Sequence, residues 1–351
     1  MSGSEEKKSF WITLPGILTG VTGLIGAIAS LIAALAAIGV FDSNGQDAID
    51  GRTSETRPLG KVLTETRIAF LSDSTGECKV HSVYADGTSE KPLTKDAGVD
   101  LRPDWSPDGK MIAFANNADG DFDVYVTDAA TGQTRVLLDT DADEKGPTWS
   151  PVGDRIAFSS TADGHSEIWA MDSNGTGSPV QLTNEDAKSV SPDWSPDDDA
   201  IVFASDSDGQ FDIFVMRTDG TDPQSLTANA PDSSITQEFD PSWSSDGEKI
   251  SFDGRRSDDG SFDIYVIDPD GSDLKNLTAH SANDRRSSWS PDDTKIVFGS
   301  DREVPSGDTQ RGCSVDTRQM DLYVMNADGT DPQRLLGSEA DDSSPAWGPA
   351  P

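Results

Sequence analysis

Six short apolar runs recur along the C-terminal four-fifths of the chain, each bounded by turn-forming residues. They end at Phe70, Phe114, Phe158, Phe203, Phe252 and Phe298, in segments such as RIAF, MIAF, AIVF and KIVF. A second set, FDVYV, SEIWA, FDIFV, FDIYV and MDLYV, follows five of them across loops of Asp, Ser and Gly. Both sets are apolar at successive positions, without alternation, as in strands buried on both faces. Trp105, Trp149, Trp194, Trp243 and Trp289 each precede a run, and the Phe comes nine residues after the Trp every time. Between them stand SPDG-like turns, in which Pro presets φ and Gly or Asp tolerates the left-handed region. A second turn (TDGT, PDGS or ADGT) leads to a fourth segment that often ends in Leu-Thr.

Each repeat therefore reads as four strands: a with the Trp, b with the Phe, then c and d. The period of 44–58 residues suits one blade. Blades pack face to face around an axis, which explains the unbroken apolar runs. The expected fold is all-β, a six-bladed β-propeller over residues 67–351. The first repeat begins at strand b (Arg67-Ile68-Ala69-Phe70) and the last ends at strand a (Pro345-Ala346-Trp347). Trp347 is thus expected to supply the inner strand of the first blade and to close the ring, leaving no sheet edge open at the seam.

Ahead of the repeats, Phe10 to Phe41 contains no charged side chain. This exceeds the roughly 20 residues needed to cross a bilayer and predicts a single transmembrane helix over 10–41, preceded by a cytoplasmic tail (1–9). The alternative is a long secretory signal cut near Ala34-Leu35-Ala36. Lys7 and Lys8 precede the span and Asp42, Asp47 and Asp50 follow it, which puts the N-terminus in the cytoplasm and the propeller outside. Gly16 and Gly20, then Ala29, Ala33 and Ala37, recur at four-residue spacing, a pattern that permits self-association of membrane helices. Residues 42–66 read as a flexible linker.

The segments PDWSPDGKMIAF, PTWSPVGDRIAF, PDWSPDDDAIVF, PSWSSDGEKISF and SSWSPDDTKIVF resemble the PD40 repeats of the TolB propeller family. The resemblance covers the propeller only. It implies an extracytoplasmic propeller that recruits partners, which in TolB include a peptidoglycan-associated lipoprotein. An apolar segment and linker stand where TolB carries an α/β domain. Related propellers also precede prolyl-oligopeptidase-type domains, but no hydrolase domain follows here. Gly164-His165-Ser166-Glu167 lacks the second Gly of a nucleophile elbow.

The formal net charge of -36 disfavours nucleic acid and anionic lipid as partners. It favours basic proteins, cations or neutral ligands, and also suits a salt-adapted organism. Strand order places the a–b and c–d turns on one face and the more variable b–c and d–a loops on the other, here called the top. Variable loops on a rigid scaffold commonly carry binding. Arginines concentrate in the top loops of the last two blades (Arg255, Arg256, Arg285, Arg286, Arg302, Arg311 and Arg318). They suggest an anion-accepting patch, or pairing with Asp258, Asp259, Asp284 and Asp301. Arg102, Asp104, Asp193, Asp240 and Arg286 fall on inner strands and are further binding candidates. They would also be the residues of a lyase or hydrolase acting in the channel mouth, although no catalytic motif surrounds them.

The sequence therefore points to a binding or scaffolding module taking a protein or small ligand at its top loops. Enzymatic and ligand-sensing roles are the alternatives. No cofactor is implied beyond weak calcium candidates in Asp-Gly loops, Asp206, Asp208 and Asp212, with a similar loop from Asn117 to Asp123; Asp-Gly also suits plain hairpin turns. No zinc spacing is present. Cys78 and Cys313 fall in b–c loops of blades that become neighbours on closure, which makes them candidates for a disulfide across the seam in an oxidising compartment, two free thiols being the alternative.

Overall fold

A computed structural model of the chain describes residues 65–184, 186–228, 234–303, 313, 319–337 and 339–350. The expected tail, membrane helix and most of the linker lie outside the described residues, as do Arg311 and Arg318. The described residues form six four-stranded antiparallel sheets. In the first, β1 (Arg67–Ser72), β2 (Lys79–Tyr84) and β3 (Lys91–Pro92) are completed by β24 (Asp342–Trp347), in the order β24-β1-β2-β3. The other five sheets run in chain order outward from inner strands β4 (Asp100–Trp105), β8 (Glu144–Trp149), β12 (Ser189–Trp194), β16 (Ile235–Trp243) and β20 (Asp284–Trp289). Among these residues there is no helix long and apolar enough to cross a membrane.

The core lies between blades. Ala157 and Ile168 of blade 3 pack with Trp194, Ile201 and Phe203 of blade 4. Ile264 and Val266 of blade 5 pack with Trp289, Ile296 and Phe298 of blade 6. The seam is built alike: Ile68 and Phe70 join Val297, Leu322 and Trp347. Each Phe at the end of a b run is 2% exposed or less. Fully burying one such side chain stabilises by roughly 1.5–3 kcal/mol.

A feature absent from the expected pattern recurs in all six inner strands. Leu101 faces Ala115 and Asp104 faces Ala113, so Arg102 and Pro103 together oppose the single residue Phe114. The same two-against-one bulge places Gly146 and Pro147 opposite Phe158, Ser191 and Pro192 opposite Phe203, and Asp240 and Pro241 opposite Phe252. Arg286 and Ser287 oppose Phe298, and Ser344 and Pro345 oppose Phe70. The first residue of each pair has positive φ, from 47° at Arg102 to 61° at Gly146. The next residue is Pro in five of the six. A bulge bends its strand and turns a side chain out of the ladder, here toward the axis.

Polar groups stitch neighbouring blades. The amide of Trp149 donates to Asp104 Oδ2 (2.8 Å), that of Trp243 to Asp193 Oδ2 (2.8 Å) and that of Trp347 to Ser288 Oγ (2.9 Å). Four a–b turns close by a Ser hydroxyl that donates to an Asp two residues on, as in Ser106–Asp108 and Ser195–Asp197, and the blade 3 turn by Ser150 to Asp154. At the seam, Trp347 Nε1 donates to Thr66 Oγ1 at 3.0 Å, and Cys78 and Cys313 form a disulfide with Cα atoms 5.2 Å apart.

Deleting residues 342–351 is expected to abolish the cooperative thermal transition and expose dye-binding apolar surface, because blades 1 and 6 lose their shared face. Deleting only 349–351 is expected to leave the transition in place. Cys78→Ser removes a cross-link spanning 235 residues, worth up to about 5 kcal/mol in the chain-entropy picture. It is expected to lower Tm by several degrees, and non-reducing gels of the parent protein are expected to shift on adding reductant.

Candidate binding site in the central channel

The six left-handed bulge residues, Arg102, Gly146, Ser191, Asp240, Arg286 and Ser344, ring the channel and line a cavity of about 130 Å³. The layer two residues further along each strand, including Asp104, Thr148, Asp193 and Ser288, lines it too. Five of the six ring residues carry a side chain in a backbone region that costs roughly 1–2 kcal/mol each. The bulge ladder and the following Pro hold them there. The strain is tied to position, since one bulge per blade aims one side chain at the axis.

Charge in the ring is uneven. Arg102 Nη2 lies 2.6 Å from Asp240 Oδ1 across the channel, and its Nη1 donates to Ser191 Oγ at 2.6 Å. Ser191 Oγ donates in turn to Asp240 Oδ1 (2.8 Å). Arg286 Nη1 donates to Ser344 Oγ (2.8 Å), while its Nε sits 3.5 Å from Asp240 Oδ2. Behind the ring, Arg285 Nε lies 3.2 Å from Asp253 Oδ2 and its guanidinium stacks over Phe262 at 4.1 Å. Burial works against ionising Asp240, yet Arg102, Arg286 and Arg285 outweigh it and hold the carboxyl below the ordinary range. Burial, and then the nearby Arg102, lower the Arg286 guanidinium to about 10. Burial and the charge of Asp240 raise Asp253 to about 7. Three guanidiniums thus face one firmly ionised carboxylate and a second that titrates near neutrality. Asp240 Oδ2 and Arg286 Nε are both buried and hydrogen-bond to no described residue.

The structure thus brings Arg102, Asp104, Asp193, Asp240 and Arg286 to one cavity, with Arg285 directly behind it. Asp104 and Asp193 spend an oxygen each on a neighbouring Trp amide; burial raises them to about 7 and about 6. The other arginines are apart from this group. Arg255 is exposed on the b–c hairpin of blade 5, and Arg256 beside it pairs with Asp258 and lies 3.6 Å from Asp263. Arg302 meets Asp284 at 2.6 Å. Of the weak calcium candidates, Asp212 is raised to about 7 by burial and then by the neighbouring Asp208. Asp206 instead accepts the Lys188 amide at 2.6 Å. Ser191, Ser344 and Gly146 escaped the sequence reading. Their shared signal is the position three residues before each repeat Trp.

With the fold and channel described, comparison with known proteins places the chain. It matches the TolB beta propeller domain, PD40, over residues 60–258. The chain belongs to that family. It is 33% identical over 91 residues to a TolB homolog of Chlorobium luteolum, a match covering 24% of this chain and 21% of that protein. It therefore spans about a fifth of the length of that curated relative. TolB from Acinetobacter baumannii superposes with a TM-score of 0.66 at 23% identity, covering 82% of this chain and 67% of the other. An oligogalacturonate lyase from Vibrio parahaemolyticus superposes with a TM-score of 0.51 at 16% identity, covering 77% and 74%. At these identities the two structures share the PD40 propeller's fold alone.

The raised carboxyls make a signed prediction. An acid whose folded pKa exceeds its unfolded value stabilises fully below the unfolded pKa, near 4, and that stability is lost as pH rises toward the folded value. For Asp104 and Asp193 the window ends at about 7 and about 6. Denaturant midpoints are expected to fall between pH 4.5 and 7.5. Asp104→Asn keeps an acceptor for the Trp149 amide and is expected to flatten that slope, measured by tryptophan fluorescence.

Proposed function

We propose that this chain is a membrane-tethered, extracytoplasmic binding module whose channel receives a carboxylate of a protein partner, from an acidic side chain or a C-terminus. The observation that carries the reading is the gathering of three guanidiniums around Asp240, with Arg286 Nε buried beside the cavity, 3.5 Å from Asp240 Oδ2 and without a hydrogen-bond partner. In a chain of net charge -36, this concentration of positive charge is local. Arginine forks suit carboxylates through paired hydrogen bonds, and burial strengthens them. The cavity, about 130 Å³, suits one inserted side chain and is smaller than the roughly 300 Å³ at which enclosing small-molecule pockets begin. The variable top loops, with Arg255 exposed among them, would supply the surrounding contacts. The tether rests on the uncharged segment from Phe10 to Phe41, with the propeller outside and the N-terminus in the cytoplasm.

A lyase or hydrolase reading is weaker on chemical grounds. Its base would have to come from the channel acids. Asp240 is ionised but held by three arginines, which makes it a poor proton acceptor. Asp104 and Asp193 have more suitable proton affinity but are engaged by the Trp149 and Trp243 amides.

The test is crosslinked affinity capture from intact membranes, comparing the parent with Arg102→Gln, Arg286→Gln and Arg255→Glu. Melting curves confirm folding of each. Recovery of a specific partner is expected to fall at least tenfold in the two channel variants and to weaken with added salt. Equal recovery from both folded channel variants would overturn the reading, and loss with Arg255→Glu alone would move the site to the outer loops.

A further inference from the structure

The junctions between successive blades repeat one electrostatic problem near the loop face. At each, the start of strand c meets the start of the next blade's inner strand. The pairs are Lys79 with Asp100, Asp123 with Glu144, Glu167 with Ser189, Asp212 with Glu238, Asp263 with Asp284, and Asp321 with Asp342, all buried. Buried like charges cannot stand together uncompensated. Four junctions include their own remedy. Lys79 supplies an ammonium to the first, and Ser189 removes one charge from the third. Arg256 and Arg302 serve the fifth, at 3.6 Å from Asp263 and 2.6 Å from Asp284. Arg334 serves the sixth, 2.7 Å from Asp321. At the fourth, Glu238 accepts from the Thr227 hydroxyl and the Ile213 amide, and burial, then the neighbouring Asp208, raises Asp212 to about 7.

The second junction has no Lys, Arg or Ser in these roles. Asp119 from the b–c hairpin, Asp123 at the start of strand c (Asp123–Asp128) and Asp139 from the d–a loop bring carboxylate oxygens within 4.8 Å of one another. No described Lys or Arg pairs with any of the three. Asp123 is 0% exposed; its Oδ1 takes the Thr140 amide at 3.0 Å, while Oδ2 is buried with no hydrogen-bond partner. The neighbouring Glu144 is satisfied by Thr140 and Ser160 hydroxyls at 3.0 and 2.7 Å, so it adds negative charge without closing the gap. Asp119 and Asp123 come from one b–c connection and Asp139 from the loop after strand d, which the fold of the blade brings beside them.

We propose that Asp119, Asp123 and Asp139 form a divalent-cation site of the hard, all-oxygen kind, matched to calcium, at the junction of blades 2 and 3. Two oxygens on opposite sides of a calcium ion lie about 4.6–5.2 Å apart, given its 2.3–2.6 Å bonds, and the observed spread falls within that sphere. Nitrogen and sulfur ligands, which would favour zinc, are absent from the set. Asp119 and Asp139 are exposed, leaving room for water to complete the shell. The site is independent of the channel and of the partner proposed for it.

The test uses the full-length protein in detergent after chelator treatment. Terbium, a luminescent calcium analogue, is titrated first, with nearby Tyr125 as the sensitiser, and is then displaced by calcium. Calcium at about 10 mM, in excess of the dissociation constants usual for extracellular sites, is expected to raise Tm by about 5 °C. Asp119→Asn with Asp139→Asn is expected to lose both signals, yet to melt no lower than the parent in chelator, because the substitution relieves repulsion. Asp208→Asn at the fourth junction is expected to keep both signals. No response in the parent, an undiminished response in the double variant, or loss with Asp208→Asn would each overturn the site. An equal Tm rise with magnesium would overturn its assignment to calcium.

Discussion

Every blade of this protein depends on its neighbours for burial of both faces, so the ring stands or falls with its closure. The pairing of β24 with β1 meets that constraint by giving the first blade an inner strand from the far end of the chain. Trp347 then occupies at the seam the place that Trp105 to Trp289 occupy elsewhere, and its indole bonds back to Thr66. The disulfide between Cys78 and Cys313 adds a covalent tie between the same two blades. Closure is thus supported by ladder hydrogen bonds, apolar burial and a cross-link.

The second organising element is the inner-strand bulge. By setting two residues against one buried Phe, it lets the Phe fill the space between blades while the left-handed residue points to the axis. That gives each blade one side chain aimed at the axis, and the six positions hold Arg, Gly, Ser, Asp, Arg and Ser. In the layer below, Asp104, Asp193 and Ser288 accept Trp amides that hold adjacent blades together. One ring can therefore vary with the ligand while the next maintains the scaffold.

The acidic balance of the chain takes on local meaning in this frame. Carboxylates are drawn into blade junctions, where lysine or arginine compensates them or a serine stands in place of one. Around Asp240 three guanidiniums gather on one carboxylate. Net charge describes the outer surface of such a protein and says little about its channel.

The sequence by itself determined the blade count, the strand order within each blade and the closing role of Trp347. These follow from local periodicity and from where the repeats start and stop, which a propeller cannot satisfy in another way. It also brought out Arg102, Asp104, Asp193, Asp240 and Arg286 as inner-strand candidates, because their offsets from Trp are visible. The bulge was not legible, since its first position is filled by residues with no common left-handed preference; only the following Pro hints at it. Nor could the arginines be sorted. Arg285 and Arg286 are adjacent in sequence, yet one stacks on Phe262 and the other enters the channel, while Arg256 and Arg302 meet acids outside it. Likewise the Asp-Gly loops look alike along the chain. Tertiary structure alone decided that Asp139 joins Asp119 and Asp123 without a counter-charge. The reason is physical: offsets within a repeat are local, whereas charge compensation depends on which side chains neighbouring blades bring to the same junction.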